Sequence, residues 1–269
     1  MHIHFTKYQG TGNDFIIIDD RLKLFPENNS ELIEKLCNRK FGIGADGLML
    51  LQPDDNAAYY MKYYNSDGKE SSMCGNGGRC IAAFAIRLGI VQGTHTFNAI
   101  DGLHEVKEKR GNNQIKIQLG MQDVNDIEIR NMENYVLNTG SPHYIQFTPT
   151  NINEINIVEE ARKIRYNEEF KSNGINVNFI NLLGINKIAI RTYERGVEDE
   201  TLSCGTGVTA AAITTAIINQ LVTGVHKIDV ETKGGYLSVS FMYHKVEKRF
   251  SDVWLTGPAT FVFEGEIAI

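Results

Sequence analysis

The sequence predicts a mixed α/β (α+β) protein of two pseudo-symmetric domains, each a curved, mostly antiparallel sheet wrapped around one central helix. Three observations lead there. The first is an internal repeat. Cys74-Gly75-Asn76-Gly77-Gly78-Arg79-Cys80-Ile81-Ala82-Ala83-Phe84 is echoed by Cys204-Gly205-Thr206-Gly207-Val208-Thr209-Ala210-Ala211-Ala212-Ile213, 130 positions later. The shared pattern is C-G-x-G-x-x-x-A-A followed by an apolar residue. Thr11-Gly12-Asn13-Asp14-Phe15 recurs as Thr139-Gly140-Ser141-Pro142-His143, Gly42-Ile43-Gly44-Ala45-Asp46 as Gly174-Ile175-Asn176-Val177-Asn178, and Gly102-Leu103-His104-Glu105-Val106 as Gly235-Tyr236-Leu237-Ser238-Val239. The order is kept, at offsets between 128 and 133. The second observation is that the stretches 77–88 and 206–219 are apolar almost all round, as a helix buried on every side must be. The third is a set of short β-rich runs bounded by turn residues.

The elements follow in order. Residues 14–20, 47–52 and 57–64 read as strands, and 30–39 as a helix with Ser30 as N-cap. The helix from about Gly77 stops at Gly89. A strand follows at 115–119. The second half repeats the order, with strands near 135–147 and 177–183, a helix near 154–166, a strand near 186–194 and a helix near 206–219. Strands at 227–230, 237–241 and 260–263 end the chain. The domains are expected at 1–120, carrying Cys74, and at 121–256, carrying Cys204, with a C-terminal strand within 257–269 rejoining the first half. Each half is close to a common domain size. No Pro- or Ser-rich linker marks the boundary.

The bulk properties exclude several classes. At 269 residues the chain can bury a large core. It is 42% hydrophobic and 22% charged, ordinary for a soluble globular protein. A net charge of −6, with no Lys/Arg run, argues against a nucleic-acid partner. No apolar run approaches the ~18 residues that span a membrane. The start, Met1-His2-Ile3-His4-Phe5, lacks the regions of a signal peptide. Four cysteines without an export signal predict reduced thiols and a cytoplasmic location. Cys37 and Cys80 are expected to pack in the core.

The chemistry points to Cys74 and Cys204. A thiol at a helix N-terminus faces unsatisfied N–H groups and the positive end of the dipole, which favour its thiolate. Two thiols placed by a duplicated framework suggest two acid/base groups on opposite sides of one atom, as inversion of a stereocentre by proton transfer requires. The backbones of Gly75, Asn76 and Gly77, and of Gly205, Thr206 and Gly207, would cradle a carboxylate and acidify its α-proton. Other readings remain. Cys74, Cys80, Cys204 and His143 could be zinc ligands, but Cys-x5-Cys without a second close pair is poor zinc spacing. A thiolate paired with His143 could serve a hydrolase or transferase, which leaves the second cysteine idle. Gly42-Ile43-Gly44-Ala45-Asp46-Gly47 lacks the glycine spacing and context of a dinucleotide loop and reads as a turn. Asn65 and Glu194 each follow a tyrosine at a strand end before a cysteine. Glu194 and Arg195 could bind an ammonium group and a carboxylate, or form a surface ion pair. His143 is either a turn histidine or a group that holds charge beside a cysteine.

Gln9-Gly10-Thr11-Gly12-Asn13-Asp14-Phe15, Phe41-Gly42-Ile43-Gly44-Ala45-Asp46-Gly47, Tyr64-Asn65-Ser66-Asp67-Gly68, Met73-Cys74-Gly75-Asn76-Gly77-Gly78-Arg79-Cys80, Tyr193-Glu194-Arg195-Gly196, Cys204-Gly205-Thr206-Gly207 and Gly257-Pro258-Ala259 together resemble the diaminopimelate epimerase family. The resemblance covers nearly the whole chain. It implies a cofactor-independent epimerase that interconverts LL- and meso-2,6-diaminopimelate in lysine and peptidoglycan precursor biosynthesis, in the cytoplasm, as a homodimer. It implies Cys74 and Cys204 as the acid/base pair and His143 and Glu194 as groups that tune them. By the same match Asn13, Asn65, Gly75, Asn76, Asn176, Glu194, Arg195, Gly205 and Thr206 bind substrate. No metal or cofactor is implied. Several positions depart from the family's usual pattern. Ser141 stands where Asn is usual, Gly47 where some members have Gln, and Phe263 where members often have a Tyr linked to dimer formation. The stretch Val197-Glu198-Asp199-Glu200 carries one extra residue. The rival readings are an epimerase of another amino acid and an inactive amino-acid binding protein on the same scaffold.

Overall fold

The computed structural model describes residues 2–111 and 114–269, with the side chains of 110–115 left aside. The chain divides into two compact units, Met1–Leu119 with Gly257–Ile269, and Gly120–Thr256. The first unit begins with β1 (His2–Gly10), β2 (Asn13–Asp19), α1 (Ser30–Cys37), β3 (Gly47–Gln52), β4 (Tyr60–Asn65), α2 (Gly75–Arg87), β5 (Thr94–Ala99), β6 (Gly102–Gly111) and β7 (Gln114–Gly120). The second unit holds β8 (Ile127–Ile129), β9 (Asn134–Asn138), β10 (Pro142–Phe147), a 3-10 turn (Ile152–Glu154), α3 (Ile157–Arg165), β11 (Asn176–Gly184), β12 (Lys187–Glu194), β13 (Asp199–Thr201), α4 (Gly205–Ile218), β14 (Gly224–Thr232), β15 (Gly235–His244) and β16 (Arg249–Pro258). The last strand, β17 (Thr260–Ala268), belongs to the first unit.

The pairing repeats unit by unit. In the first, β17 and β2 flank β1 antiparallel, β2 is parallel to β3, β3 antiparallel to β4, β4 parallel to β5, and β5, β6 and β7 continue antiparallel. In the second, β8, β9 and β10 are antiparallel, β10 is parallel to β11, β11 antiparallel to β12, β12 parallel to β14, and β14, β15 and β16 continue antiparallel. The short strand β13 pairs antiparallel with β12, and its counterpart in the first unit is a single bridge between Tyr64 of β4 and Glu70. Every α-helix lies in the connection between two parallel strands: α1 and α2 in the first unit, α3 and α4 in the second. Parallel neighbours cannot be joined by a tight turn, so each such pair needs a long crossover.

The helices of the second crossover in each unit are the central ones. Gly75 to Ala85 are all buried along α2, which packs on β1, β2 and β3. On α4 the buried residues include Val208, Ala211, Ala212, Ile213 and Ala216, packed with Ile145, Phe147, Ile180, Ile190, Phe241 and Leu255. Small residues line these helices because the sheet surrounds them closely. The large side chains come from the strands, each contributing about 1.5–3 kcal/mol on full burial. α1 and α3 are amphipathic. α1 buries Ile33, Leu36 and Cys37, and α3 buries Ile157 and Ala161. Ser30 is not the cap of α1. Asn29 is, its Oδ1 accepting from the Leu32 N–H at 3.0 Å, a shape that an amide fills as readily as a hydroxyl. β1 was not anticipated. Its buried alternation at Ile3 and Phe5, between exposed His2 and His4, is a two-residue period visible in the sequence. Cys37 and Cys80 are buried, and burial pushes both thiols up to about 12.

A charged cluster ties β1 to the β2–β3 end. The buried Lys7 ammonium donates to the Gly44 carbonyl and lies 2.8 Å from Asp14. Burial raises the Asp14 pKa, but hydrogen bonds from Arg39 and Lys7 outweigh it and hold the carboxyl well below the usual range. Arg39 is more than half exposed, so its share is small. We predict that Asp14→Ala, which leaves the Lys7 charge buried without its carboxylate, lowers the unfolding free energy by about 3 kcal/mol in urea titrations. A loss below about 1 kcal/mol would show that solvent already screens Lys7.

Candidate active site

Cys74 and Cys204 occupy the same place in each unit. Each is the N-cap of its buried helix, in extended conformation (φ −97°, ψ 132° and φ −115°, ψ 113°), and neither side chain caps its own helix. The first-turn N–H groups of an α-helix have no acceptor within the helix, which makes each helix mouth a place for an anion. Cys74 is half-buried and Cys204 buried.

Strand register gathers the remaining polar residues at one end of each sheet. In the first unit Gly47 stands opposite both Phe15 and Asn65, which sets Asn13, Asp46 and Asn65 at the ends of adjoining strands. In the second, His143 stands opposite Asn176 and Val177 opposite Tyr193, just before Glu194. These are the ends from which the chain enters α2 and α4.

Around Cys74 the contacts form a directed chain. The Arg79 guanidinium, fully buried, donates to Asn76 Oδ1 at 2.9 Å, to Thr11 Oγ1 at 3.2 Å and to the Gly75 carbonyl at 3.1 Å. Asn76 Nδ2 then donates to Asn13 Oδ1 at 3.4 Å, and Asn13 Nδ2 to Asp46 Oδ2 at 2.6 Å. Cys74 Sγ lies 3.6 Å from Asn13 Oδ1. Burial lowers the Arg79 pKa, while the thiols of Cys80 and Cys74 oppose the shift. Asn65 is exposed at the end of β4 and joins none of these bonds. A Cβ on Gly47 would come 2.6 Å from the Tyr63 ring and 2.5 Å from the Tyr64 carbonyl, so Tyr63 fills the space a longer side chain would need.

Around Cys204, Sγ is 3.4 Å from Thr206 Oγ1, and Thr206 Oγ1 is 2.9 Å from Nε2 of the fully buried His143. His143 Nδ1 faces Asn178 Nδ2 at 3.1 Å. His143 lies in β10, not in a turn. Burial, and then the charge of Arg195, push its pKa down to about 3. Asn176 Nδ2 donates to Ser141 Oγ at 2.8 Å and to the Pro142 carbonyl at 3.0 Å, while its Oδ1 accepts from the Arg195 N–H at 2.8 Å. Ser141 therefore holds Asn176. The Arg195 guanidinium reaches the Asn173 carbonyl at 2.9 Å. Burial raises the Glu194 carboxyl above its ordinary range. Glu198, in the extended loop, accepts from Tyr193, Tyr166 and Arg165 and anchors that loop to α3.

Sequence reasoning missed Asp46, Arg79 and Asn178 as members of these networks. A signal existed: Asp46 and Asn178 occupy matching places in the repeat, at offset 132.

The fold recurs in solved structures of several activities. A phenazine biosynthesis protein of the PhzF family from Bacillus anthracis superposes with a TM-score of 0.71 at 15% identity, covering 100% of both chains. A probable proline racemase from Agrobacterium radiobacter K84 gives 0.68 at 15% identity, covering 99% of this chain and 93% of that one. A hydroxyproline epimerase from Agrobacterium vitis gives 0.67 at 12% identity, covering 100% and 93%. At these identities the likeness is one of fold. The sequence goes further. It is 50% identical to the diaminopimelate epimerase of Flavobacterium psychrophilum over 262 residues, 97% of this chain and 98% of that protein. It is 39% identical to that of Archaeoglobus fulgidus, over 98% of this chain and 96% of the other. The chain is thus an amino-acid epimerase, an isomerase. It belongs to the diaminopimelate epimerase family, whose profile matches residues 5–124 and 135–262.

The depressed His143 pKa has a measurable consequence. The unfolded chain takes up this proton near pH 6.5, whereas the folded one resists until about 3. Stability from this residue is present above about pH 6.5 and is lost as pH falls towards 3. We predict that His143→Gln flattens the fall in unfolding free energy across that window, read from denaturant titrations at stepped pH. An unchanged slope would place the titration elsewhere.

Proposed function

We propose that this protein interconverts LL- and meso-2,6-diaminopimelate by a two-base proton transfer, with Cys74 and Cys204 as the acid/base pair and no cofactor. The observation that carries the reading is their equivalent placement, each at the N-cap of the buried crossover helix of its unit. The family membership and the names of its relatives support the substrate.

In one direction a thiolate takes the α-proton from one face of the carbon and the other thiol returns a proton to the opposite face. In the reverse direction the roles exchange. The α-carboxylate sits against the N–H groups of Gly75, Asn76, Gly205 and Thr206, where helix ends stabilise the charge that develops as the proton leaves. Asn13, Asn65, Asn176, Glu194 and Arg195 bind the remaining carboxylate and ammonium groups. His143 and Glu194 tune the thiols. The reaction serves lysine and peptidoglycan precursor synthesis in the cytoplasm, by a homodimer. Phe263, nearly half exposed on β17 and edge-on to Phe5, belongs to the dimer surface in this reading.

Two experiments test this reading. Cys74→Ala and Cys204→Ala should each lower epimerisation by orders of magnitude with the circular dichroism spectrum unchanged. Near-normal turnover by either variant would overturn the two-base mechanism. Against a panel of amino acids in D2O, lysine, alanine and proline should exchange and invert at least ~10³-fold less efficiently than diaminopimelate, because a site built for polar groups rejects ligands that lack them. Comparable turnover of proline would move the protein to another substrate class. Binding without α-proton exchange would make it a binding protein.

A further inference from the structure

The network behind Cys204 has a direction that chemistry fixes from Asn178 as far as Thr206. Asn178 is fully buried, and its Nδ2 lies 3.0 Å from the Tyr144 carbonyl, a group that only accepts. Its Oδ1 accepts from the Thr192 hydroxyl at 2.9 Å. The nitrogen of the amide therefore faces Tyr144, and that same nitrogen faces His143 Nδ1 at 3.1 Å. An amide NH2 can only donate, so Nδ1 must accept, and a neutral imidazole then carries its hydrogen on Nε2. Nε2–H donates to Thr206 Oγ1 at 2.9 Å. The Thr206 hydroxyl, having accepted there, still has its own hydrogen to give to Cys204 Sγ, 3.4 Å away.

We propose that Asn178 is a positioning residue for the reaction: by locking His143 in the Nε2–H tautomer it makes Thr206 a hydrogen-bond donor to Cys204, so that the thiolate of Cys204 is stabilised in the substrate-free protein. The inference rests on the reading of Cys204 as a proton-transferring thiol, and adds the device that prepares it.

Three further observations agree. His143, pushed down by burial and by Arg195, stays neutral at working pH, as the tautomer requires. The helix passes so close to the network that a Cβ on Gly207 would lie 2.6 Å from Asn178 Oδ1 and 3.2 Å from His143 Cε1, so the amide and ring have little room to turn. The arrangement is also particular to this half. At Cys74 one neighbouring group is Asn13 Oδ1, which only accepts, while Asn13 Nδ2 faces Asp46. The charged and titratable groups to weigh are His143, itself acted on by Arg195, behind Cys204, and Arg79 and Cys80 for Cys74. Of these, His143 alone is bonded to a hydroxyl that touches Cys204 sulfur.

The proton accounting is simple. Taking an α-proton converts the Cys204 thiolate to thiol, and the proton that completes inversion leaves Cys74. Return to the resting form needs one proton to pass from Cys204 to Cys74 through solvent, or a turnover in the opposite direction.

The test needs no substrate. In wild-type protein with nitrogen-15-labelled histidine, long-range correlation spectra at neutral pH should show His143 neutral and protonated on Nε2. An Nδ1–H or doubly protonated ring overturns the proposal. The pH midpoint of iodoacetamide alkylation, followed separately on the Cys74 and Cys204 peptides, reads each thiol regardless of its accessibility. Asn178→Leu and Thr206→Val should each raise the Cys204 midpoint by about one pH unit, about tenfold less thiolate below the midpoint, while Thr206→Ser restores it and Cys74 does not move. An unchanged Cys204 midpoint in Thr206→Val, or an equal shift at Cys74, overturns the proposal. These readouts stand apart from turnover: absence of α-proton exchange with diaminopimelate would defeat the functional reading and leave the tautomer untouched.

Discussion

Burial of the second crossover helix in each unit is the constraint on which the rest depends. A helix between two parallel strands must pack back onto the sheet, and here the sheet surrounds it. The side chains of α2 and α4 are accordingly small and apolar, and nearly every residue from Gly75 to Ala85, and from Gly205 to Ala216, is buried. A helix so enclosed has only its end to offer to chemistry. That end is where β4 and β12 stop, at Asn65 and Glu194, and where the strand register gathers polar residues from neighbouring strands. A cysteine at the N-cap then stands between a dry core and a polar rim, with the dipole behind it. Duplication delivers that arrangement twice, and two such thiols are what stereoinversion asks for.

The two copies are alike in backbone and different in polarity. Each joins its cysteine to a buried network, through Asn13 in the first unit and through Thr206 in the second. In the first unit hydrogen-bond direction runs from Arg79 through Asn76 and Asn13 to Asp46, ending on a carboxylate. In the second it runs from Asn178 through His143 and Thr206 to the sulfur. Buried polar chains of this kind must be fully satisfied, since an unpaired member costs the full desolvation of its group. The same requirement makes them directional. The tail of the first chain and the head of the second match in the repeat, and the change from Asp46 to Asn178 replaces a pure acceptor with a group that also donates.

Much of this was legible in the sequence because the decisive signals are local. The C-G-x-G phrase, repeated before two runs apolar on all sides, marked both cysteines, both helices and the duplicated frame. Core roles for Cys37 and Cys80 followed from their neighbours. Other features depend on partners distant in the chain. Nothing near Asn178 says that it will face His143, 35 positions earlier, because that contact exists only once β10 and β11 pair in parallel. Arg79 reads as a surface residue from its charge, yet it is fully enclosed, because Thr11, Gly75 and Asn76 supply oxygens where a carboxylate would otherwise be needed. The cap of α1 slipped by one residue, to Asn29, because Asn and Ser cap almost equally well and the sequence offers them side by side.

Two titratable groups of the second unit, His143 and Glu194, carry a cost that the fold accepts. His143 is kept from its charged form by burial and by Arg195, and burial raises the Glu194 carboxyl. Each shift means that the folded state holds a protonation state the unfolded chain would not choose over part of the pH range, which lowers stability there. A core built only for stability would replace both with apolar residues. The position of His143 is better explained by what a neutral imidazole can do. The imidazole relays a hydrogen bond without adding a charge that would itself titrate near neutrality. With no charge on the ring, polarity is set by the Asn178 amide, and that amide is in turn held by the Tyr144 carbonyl and the Thr192 hydroxyl. Control of the thiol therefore begins in the pairing of β10 and β11, two strands that carry no reacting atom.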